Sequence, residues 1–213
     1  MKKYLIVDVK CGALAVDRFA QEFGLVVLDA ECMTRIMLQA SFWQHMNPWQ
    51  TLLIMPGNGA NIIKSFIQKV NPFWFWQWPW KIALPAKRIW MPGENPIAEV
   101  AKINSGVMVG IKQVVVIDDV VSSGETIRKL YKTNEMFVPG ARWSVATWAI
   151  QESANIKGYG DAWAHITVGS KARKSPINSL STLVDCPEIA ESYAERNFPG
   201  QAGDFLNLVA SLR

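Results

Sequence analysis

The sequence predicts an α/β fold, and three groups of residues predict it. The first is 114–131, which reads as strand, loop and helix: Val114, Val115, Val116 and Ile117 run into Asp118, Asp119, Val120 and Val121. Ser122-Ser123-Gly124 follows as a short loop, and Ile127-Arg128-Lys129-Leu130-Tyr131 has helical character. The second is 51–70, where Thr51-Leu52-Leu53-Ile54-Met55 is a buried-strand pattern. Pro56-Gly57-Asn58-Gly59-Ala60 is then a loop, and Asn61 to Val70 a helix. The third is the pair of apolar runs Trp143 to Ile150 and Ala162 to Val168, which add two strands. Strands alternating with helices extend one sheet by successive units.

The remaining elements follow in order. Tyr4 to Val9 reads as a strand broken at Cys11-Gly12, Leu14, Phe19 and Phe23 mark an amphipathic piece ending at Gly24, and Leu25 to Leu28 is a short strand. Glu31 to His45 has helical periodicity through Met33, Ile36, Met37 and Ala40, and Asn47-Pro48 ends it. In Phe73-Trp74-Phe75-Trp76-Gln77-Trp78-Pro79-Trp80, Trp falls at every second position. An extended backbone would put four indoles on one face, a core or dimer contact before a ligand platform. Lys81 to Leu84 reads as a strand and 91–96, rich in Pro, Gly and Asn, as a loop. Val100 to Val109 reads as a further strand, with Gly110 turning into the next. Pro139-Gly140 and Gly158 to Asp161 are breaks, Lys171 to Pro176 is a basic turn, Glu188 to Arg196 is a polar helix, and Phe205 to Leu212 a packed tail.

Composition narrows the class. At 213 residues the chain fits one α/β domain with an appended subdomain, and with 50% hydrophobic residues it buries a core and is not disordered. A net charge of +4 favours anionic ligands only mildly, and Lys and Arg are too scattered to signal nucleic acid. Cys11, Cys32 and Cys186 are odd in number and far apart, which fits a reducing compartment, and two histidines, His45 and His165, make no zinc cluster. Asp8 and Lys10 interrupt the first apolar stretch too early for a signal sequence, and no run spans a bilayer, so the expectation is a cytoplasmic protein without a membrane partner.

The chemistry gathers at 118–126. The first N–H groups of a helix lack intrahelical partners and carry partial positive charge, so a loop that opens a helix binds phosphate. Ser122, Ser123 and Thr126 add hydroxyl donors, and Gly124 admits close approach or positive φ. Asp118 and Asp119 would repel a bare phosphate unless they hold something else on the same ligand, such as vicinal hydroxyls or hydrated Mg²⁺. A sugar phosphate satisfies both halves. Two plainer readings stand beside this one: Ser122 to Glu125 also spells a helix capping box, and Asp-Asp after an apolar strand resembles the acidic pocket of receiver domains, though there the acids sit near the chain start.

The run Val114 to Thr126 resembles the phosphoribosyl pyrophosphate (PRPP) signature of type I phosphoribosyltransferases: four hydrophobics, two acids, two hydrophobics, two small hydroxyl-bearing residues, Gly, any residue, Thr. Every position is filled, with Glu125 at the variable place. The resemblance implies a central, mainly parallel sheet flanked by helices, with a small variable hood drawn from about 1–30 and about 171–213. It implies transfer of ribose 5-phosphate from PRPP to a nitrogenous base with release of pyrophosphate, by a homodimer using Mg²⁺. Val121, Ser122, Ser123, Gly124, Glu125 and Thr126 would bind PRPP. Asp118 and Asp119 would hold the ribose hydroxyls and, through water, the metal. Gly57, Asn58, Gly59 and Ala60 would take pyrophosphate, with Lys87 and Arg88 as cations before a closing loop at 91–99. Trp163 and Phe198 are candidates for base stacking, though as residue types both are commoner in cores. The alternatives are a non-catalytic PRPP- or nucleotide-sensing regulator on the same fold, or an interaction protein using the Trp-rich run.

Overall fold

The computed structural model describes residues 2–89, 97–103, 108–156, 160–169 and 176–212. In chain order these form β1 (Lys3–Val7), α1 (Ala13–Phe23), β2 (Leu25–Asp29), α2 (Ala30–Gln39), β3 (Thr51–Pro56), α3 (Gly57–Val70), β4 (Trp80–Leu84) and β5 (Ala86–Ile89). There follow β6 (Ile97–Val100), β7 (Gln113–Val121), α4 (Glu125–Asn134), β8 (Arg142–Gln151), β9 (Ala162–Val168), β10 (Ile177–Ser179), α5 (Leu180–Asp185), α6 (Pro187–Asn197) and α7 (Ala202–Ala210). The chain divides into two compact units, one of Met1–Met33, Gln151–Ser153 and Val168–Arg213, the other of Thr34–Ile150 and Ala154–Thr167.

The larger unit holds a five-stranded sheet in the order β4-β3-β7-β8-β9, and β4, β3, β7 and β8 run parallel. Parallel strands buried on both faces read as continuous apolar runs. All six residues of β3 are buried, as are Val114 to Ile117 of β7. On one face Leu52, Ile54, Val114, Val116 and Val145 pack with Ile127 and Leu130 of α4. On the other lies α3, which buries Ala60, Ile63 and Ile67 and sets Phe66 edge-on to Trp148, 5.6 Å between centroids. Each such side chain removed from water stabilises the fold by roughly 1.5–3 kcal/mol.

The smaller unit holds a three-stranded parallel sheet, β10-β1-β2. Its core is aromatic: Phe19 and Phe23 of α1 meet Tyr193, Phe198 and Phe205, and the last two rings stack at 4.8 Å. Gly24, at φ 60°, ends α1 in the left-handed conformation and donates its N–H to Phe19 O. The Tyr193 hydroxyl donates to Tyr4 O at 3.1 Å, and burial holds its pKa well above the usual phenol range. Phe198 therefore lies in this unit's core.

Several expected elements differ. The helix expected over 31–45 is shorter, because 41–43 tighten into a 3₁₀ turn whose Trp43 indole donates to Met37 O at 2.7 Å. The Trp-rich run is not extended: Trp74–Gln77 is a 3₁₀ helix, so period three replaces period two. Trp74 and Trp78 turn inward to form a triangle with Trp43, at 5.1, 5.5 and 5.4 Å between centroids, while Trp76 stays 77% exposed and Trp80 opens β4. The strand expected over 100–109 is absent among its described residues; β6 ends at Val100, and 104–107 lie outside the described residues. Leu14, expected on the apolar face of α1, is 76% exposed. The expected turn at 158–161 is described only from Gly160, and the basic turn at 171–175 lies outside the described residues. No described helix is long and apolar enough to cross a membrane.

Candidate functional site

Strand order places the site. From β3 the chain crosses through α3 to β4 on one side, whereas from β7 it crosses through α4 to β8 on the other. The two helices lie on opposite faces, so the loops leaving the C-terminal ends of β3 and β7, adjacent and parallel, diverge. In open α/β sheets that divergence opens the ligand crevice. The residues at its two lips are Gly57 to Ala60 and Ser122 to Thr126.

At the β7 lip, the strand continues through both acids to Val121, and α4 starts at Glu125. Gly124 is the N-cap at φ 76°, without a side-chain cap, so the Ser122–Glu125 capping box does not form; Glu125 instead lies 3.9 Å from Arg128. A Cβ on Gly124 would stand 2.8 Å from Asn155 O, and Asn155 N donates to Ser123 O at 3.0 Å. Glycine here supplies both the left-handed turn and the close approach of the bracing segment. Sequence reasoning missed Asn155, which carries no motif. The Val121 side chain lies in the core, so only its backbone can meet a ligand.

At the β3 lip, the expected loop is the first turn of α3, which begins at Gly57. Gly57 sits at φ 64°, and a Cβ there would stand 2.7 Å from Ala86 O, at the base of the β5-β6 hairpin. Gly59 backs onto the acids: a Cβ would come 2.2 Å from Asp119 Oδ1 and 3.1 Å from Asp118 Oδ1. Residues 60 positions apart in sequence therefore share one place. The Ala60 side chain is fully buried in the core.

The acids are fixed by their own backbone. Asp119 N donates to Asp118 Oδ1 at 3.1 Å, and Val120 N donates to Asp119 Oδ1 at 2.7 Å. Among the described residues no group of three His, Cys, Asp or Glu is placed to hold a metal. Two adjacent carboxylates fit Mg²⁺, which usually keeps its waters and binds one or two carboxylates plus substrate oxygens.

A cleft of about 560 Å³ runs beside the start of α3, lined by Met55, Gly57, Asn58, Asn61, Leu84 and Glu99 among others. The loop at 122–126 is not among its described lining residues. Lys87 and Arg88 stand on β5, paired in register with Glu99 and Ala98 of β6. Their side chains, and residues 90–96 of the expected closing loop, lie outside the described parts; 97–99 belong to β6.

The fold is similar to that of solved phosphoribosyltransferases. The purine phosphoribosyltransferase of Pyrococcus horikoshii Ot3 is 12% identical over 82% of this chain and 92% of its own, with a TM-score of 0.45. The xanthine-guanine-hypoxanthine phosphoribosyltransferase of Helicobacter pylori is 17% identical over 74% and 91%, with a TM-score of 0.48. No family model and no curated protein matches the sequence. Likenesses this distant leave the functional reading to rest on topology and residues.

Proposed function

We propose that this chain is a PRPP-dependent phosphoribosyltransferase, which transfers ribose 5-phosphate to a nitrogenous base and releases pyrophosphate. One observation carries the reading: the full thirteen-residue signature 114–126 lies where adjacent strands diverge, with its acid pair against Gly59 of the neighbouring lip. In this assignment the amides and hydroxyls of 122–126 anchor the 5′-phosphate. Asp118 and Asp119 accept from the ribose hydroxyls and from water on Mg²⁺; the first turn of α3, with Lys87 or Arg88, receives pyrophosphate. Mg²⁺, when bound, offsets charge on the pyrophosphate oxygens.

A C–N bond forms at the anomeric carbon as the C–O bond to pyrophosphate breaks. Charge builds on the leaving group while the ribose becomes oxocarbenium-like, and donors already aimed at both ends favour that state over the bound substrate. The segments that the resemblance assigns to the hood, about 1–30 and about 171–213, fall in the smaller unit.

The test is a thermal-shift screen with PRPP and Mg²⁺, followed by bases and nucleoside monophosphates. A ligand held by the native state at 100 times its Kd raises apparent stability by about 2.7 kcal/mol. PRPP should stabilise the wild type, and Asp118→Asn should abolish pyrophosphate release while the protein stays folded. Wild-type turnover in that variant would refute the role of the acid. PRPP binding without pyrophosphate release on any base would favour a sensor.

A further inference from the structure

We infer that Thr147, on the strand beside the acid pair, is a positioning residue that holds the Asp119 carboxylate through a single peptide unit; the inference rests on the PRPP reading above. Thr147 is fully buried in the apolar stretch Val145-Ala146-Thr147-Trp148-Ala149-Ile150 of β8, opposite Asp118 in the register. Valine has nearly the same shape and an equal preference for a buried strand, whereas a hydroxyl taken from water costs free energy unless it is bonded. The hydroxyl therefore needs a task at this position. Its Oγ1 donates to Asp119 O at 2.8 Å, with Ala149 O farther off at 3.1 Å.

That carbonyl is one end of the Asp119–Val120 peptide unit. The other end, Val120 N–H, donates to Asp119 Oδ1 at 2.7 Å. Because a peptide is planar and rigid, gripping its C=O sets the direction of its N–H. The path runs from the Thr147 hydroxyl, through one amide plane, to the carboxylate that meets Gly59.

Two features mark an irregularity of the strand at this plane. Pairing between β7 and β8 holds at Asp118↔Thr147 and resumes at Val120↔Ala149, passing over Asp119. Val121 also joins the cluster that contains Val114 and Val116, whereas an unbroken alternation would send it to the other face. Thr147 and the Asp119 side chain each bond one end of this peptide, so both help to fix its orientation. Without the hydroxyl the plane can swing back, taking the carboxylate with it.

Two substitutions separate positioning from packing. Thr147→Val keeps the volume and removes the hydroxyl; Thr147→Ser keeps the hydroxyl and removes a methyl. Calorimetric titration with PRPP and Mg²⁺, beside urea denaturation, reads both. Loss of a group that orients a ligand-holding side chain typically weakens affinity about 10- to 100-fold. Thr147→Val should show that loss with its unfolding midpoint near wild type, and Thr147→Ser should retain wild-type affinity despite a lower midpoint. A merely structural threonine gives the opposite pattern, with affinity unmoved in Thr147→Val. That result overturns the inference and leaves the PRPP reading intact. Failure of the wild type to bind PRPP overturns that reading, and the inference with it.

Discussion

Gly59→Ala is the sharpest probe of whether the two lips form one site. The new methyl carbon would stand 2.2 Å from Asp119 Oδ1 and 2.6 Å from its Cγ, well inside contact distance. Asp119 has a short side chain whose Oδ1 already accepts from Val120 N, so it yields only by breaking that bond, a loss of about 0.5–1.5 kcal/mol. Against this, alanine is favoured over glycine inside a helix by about 1 kcal/mol, and Gly59 lies in α3 without a positive φ. The terms nearly cancel, so stability should stay within about 1 kcal/mol of wild type. The acid pair, however, is displaced. Urea denaturation followed by tryptophan fluorescence should show the near-neutral stability, and calorimetry should show PRPP affinity with Mg²⁺ reduced about 10-fold or more, as expected when a ligand-holding group is misplaced. Wild-type affinity in Gly59→Ala would refute the claim that the start of α3 and the acids act together.

Three further outcomes follow from the packing. Trp78→Ala should cost about 3–5 kcal/mol because the indole is 3% exposed, whereas Trp76→Ser, at 77% exposure, should stay within about 0.5 kcal/mol; chemical denaturation distinguishes them. Asn134→Ala should cost about 1–3 kcal/mol in the same assay, since its amide accepts from Ile103 N at 2.7 Å and donates to Leu130 O at 3.1 Å, and Ile103 N–H is then left buried without a partner. Burial raises the Asp8 pKa above 3.8 despite hydrogen bonds from Ser181, so the native state holds that proton longer than the unfolded chain. The Asp8 contribution to stability then falls as pH rises from the unfolded to the folded pKa, and Asp8→Asn should remove this descending part of the denaturation profile measured from pH 3 to 7.

Legibility in the sequence depended on how local the cause was. The run Val114 to Thr126 was readable because strand, loop and helix start are written in consecutive residues, and the continuous apolar run ends where the acids begin. Gly24 and Gly110 were readable as breaks because glycine suits the positive φ that both adopt. The Trp-rich run misled because its alternation suits an extended strand, whereas the 3₁₀ turn that forms packs Trp74 and Trp78 on Trp43, far back in the chain. Likewise Gly57 to Ala60 looked like a loop, since two glycines and an asparagine weaken any helix prediction, yet α3 begins there because Ala60 and Ile63 are buried against the sheet. Thr147 was invisible, being one polar letter in an apolar strand whose meaning lies in a carbonyl 28 residues earlier.

The meeting of Gly59 with Asp119 also changes what the β3 lip can hold. An anion seated on the first turn of α3 would lie beside a carboxylate, and two unit charges about 4 Å apart repel by about 4 kcal/mol at an effective dielectric of 20. The partial charge at a helix N-terminus offsets only about 0.3–1 kcal/mol of this. On the proposed assignment, pyrophosphate at that lip would need a divalent cation held by the acids, whereas a phosphate on 122–126 would draw on a separate helix terminus, that of α4. Calorimetry in EDTA should thus abolish pyrophosphate binding while ribose 5-phosphate keeps most of its affinity. Equal binding of pyrophosphate with and without Mg²⁺ would place it away from Asp119, and the assignment of Gly57 to Ala60 would fall while that of the signature loop stood.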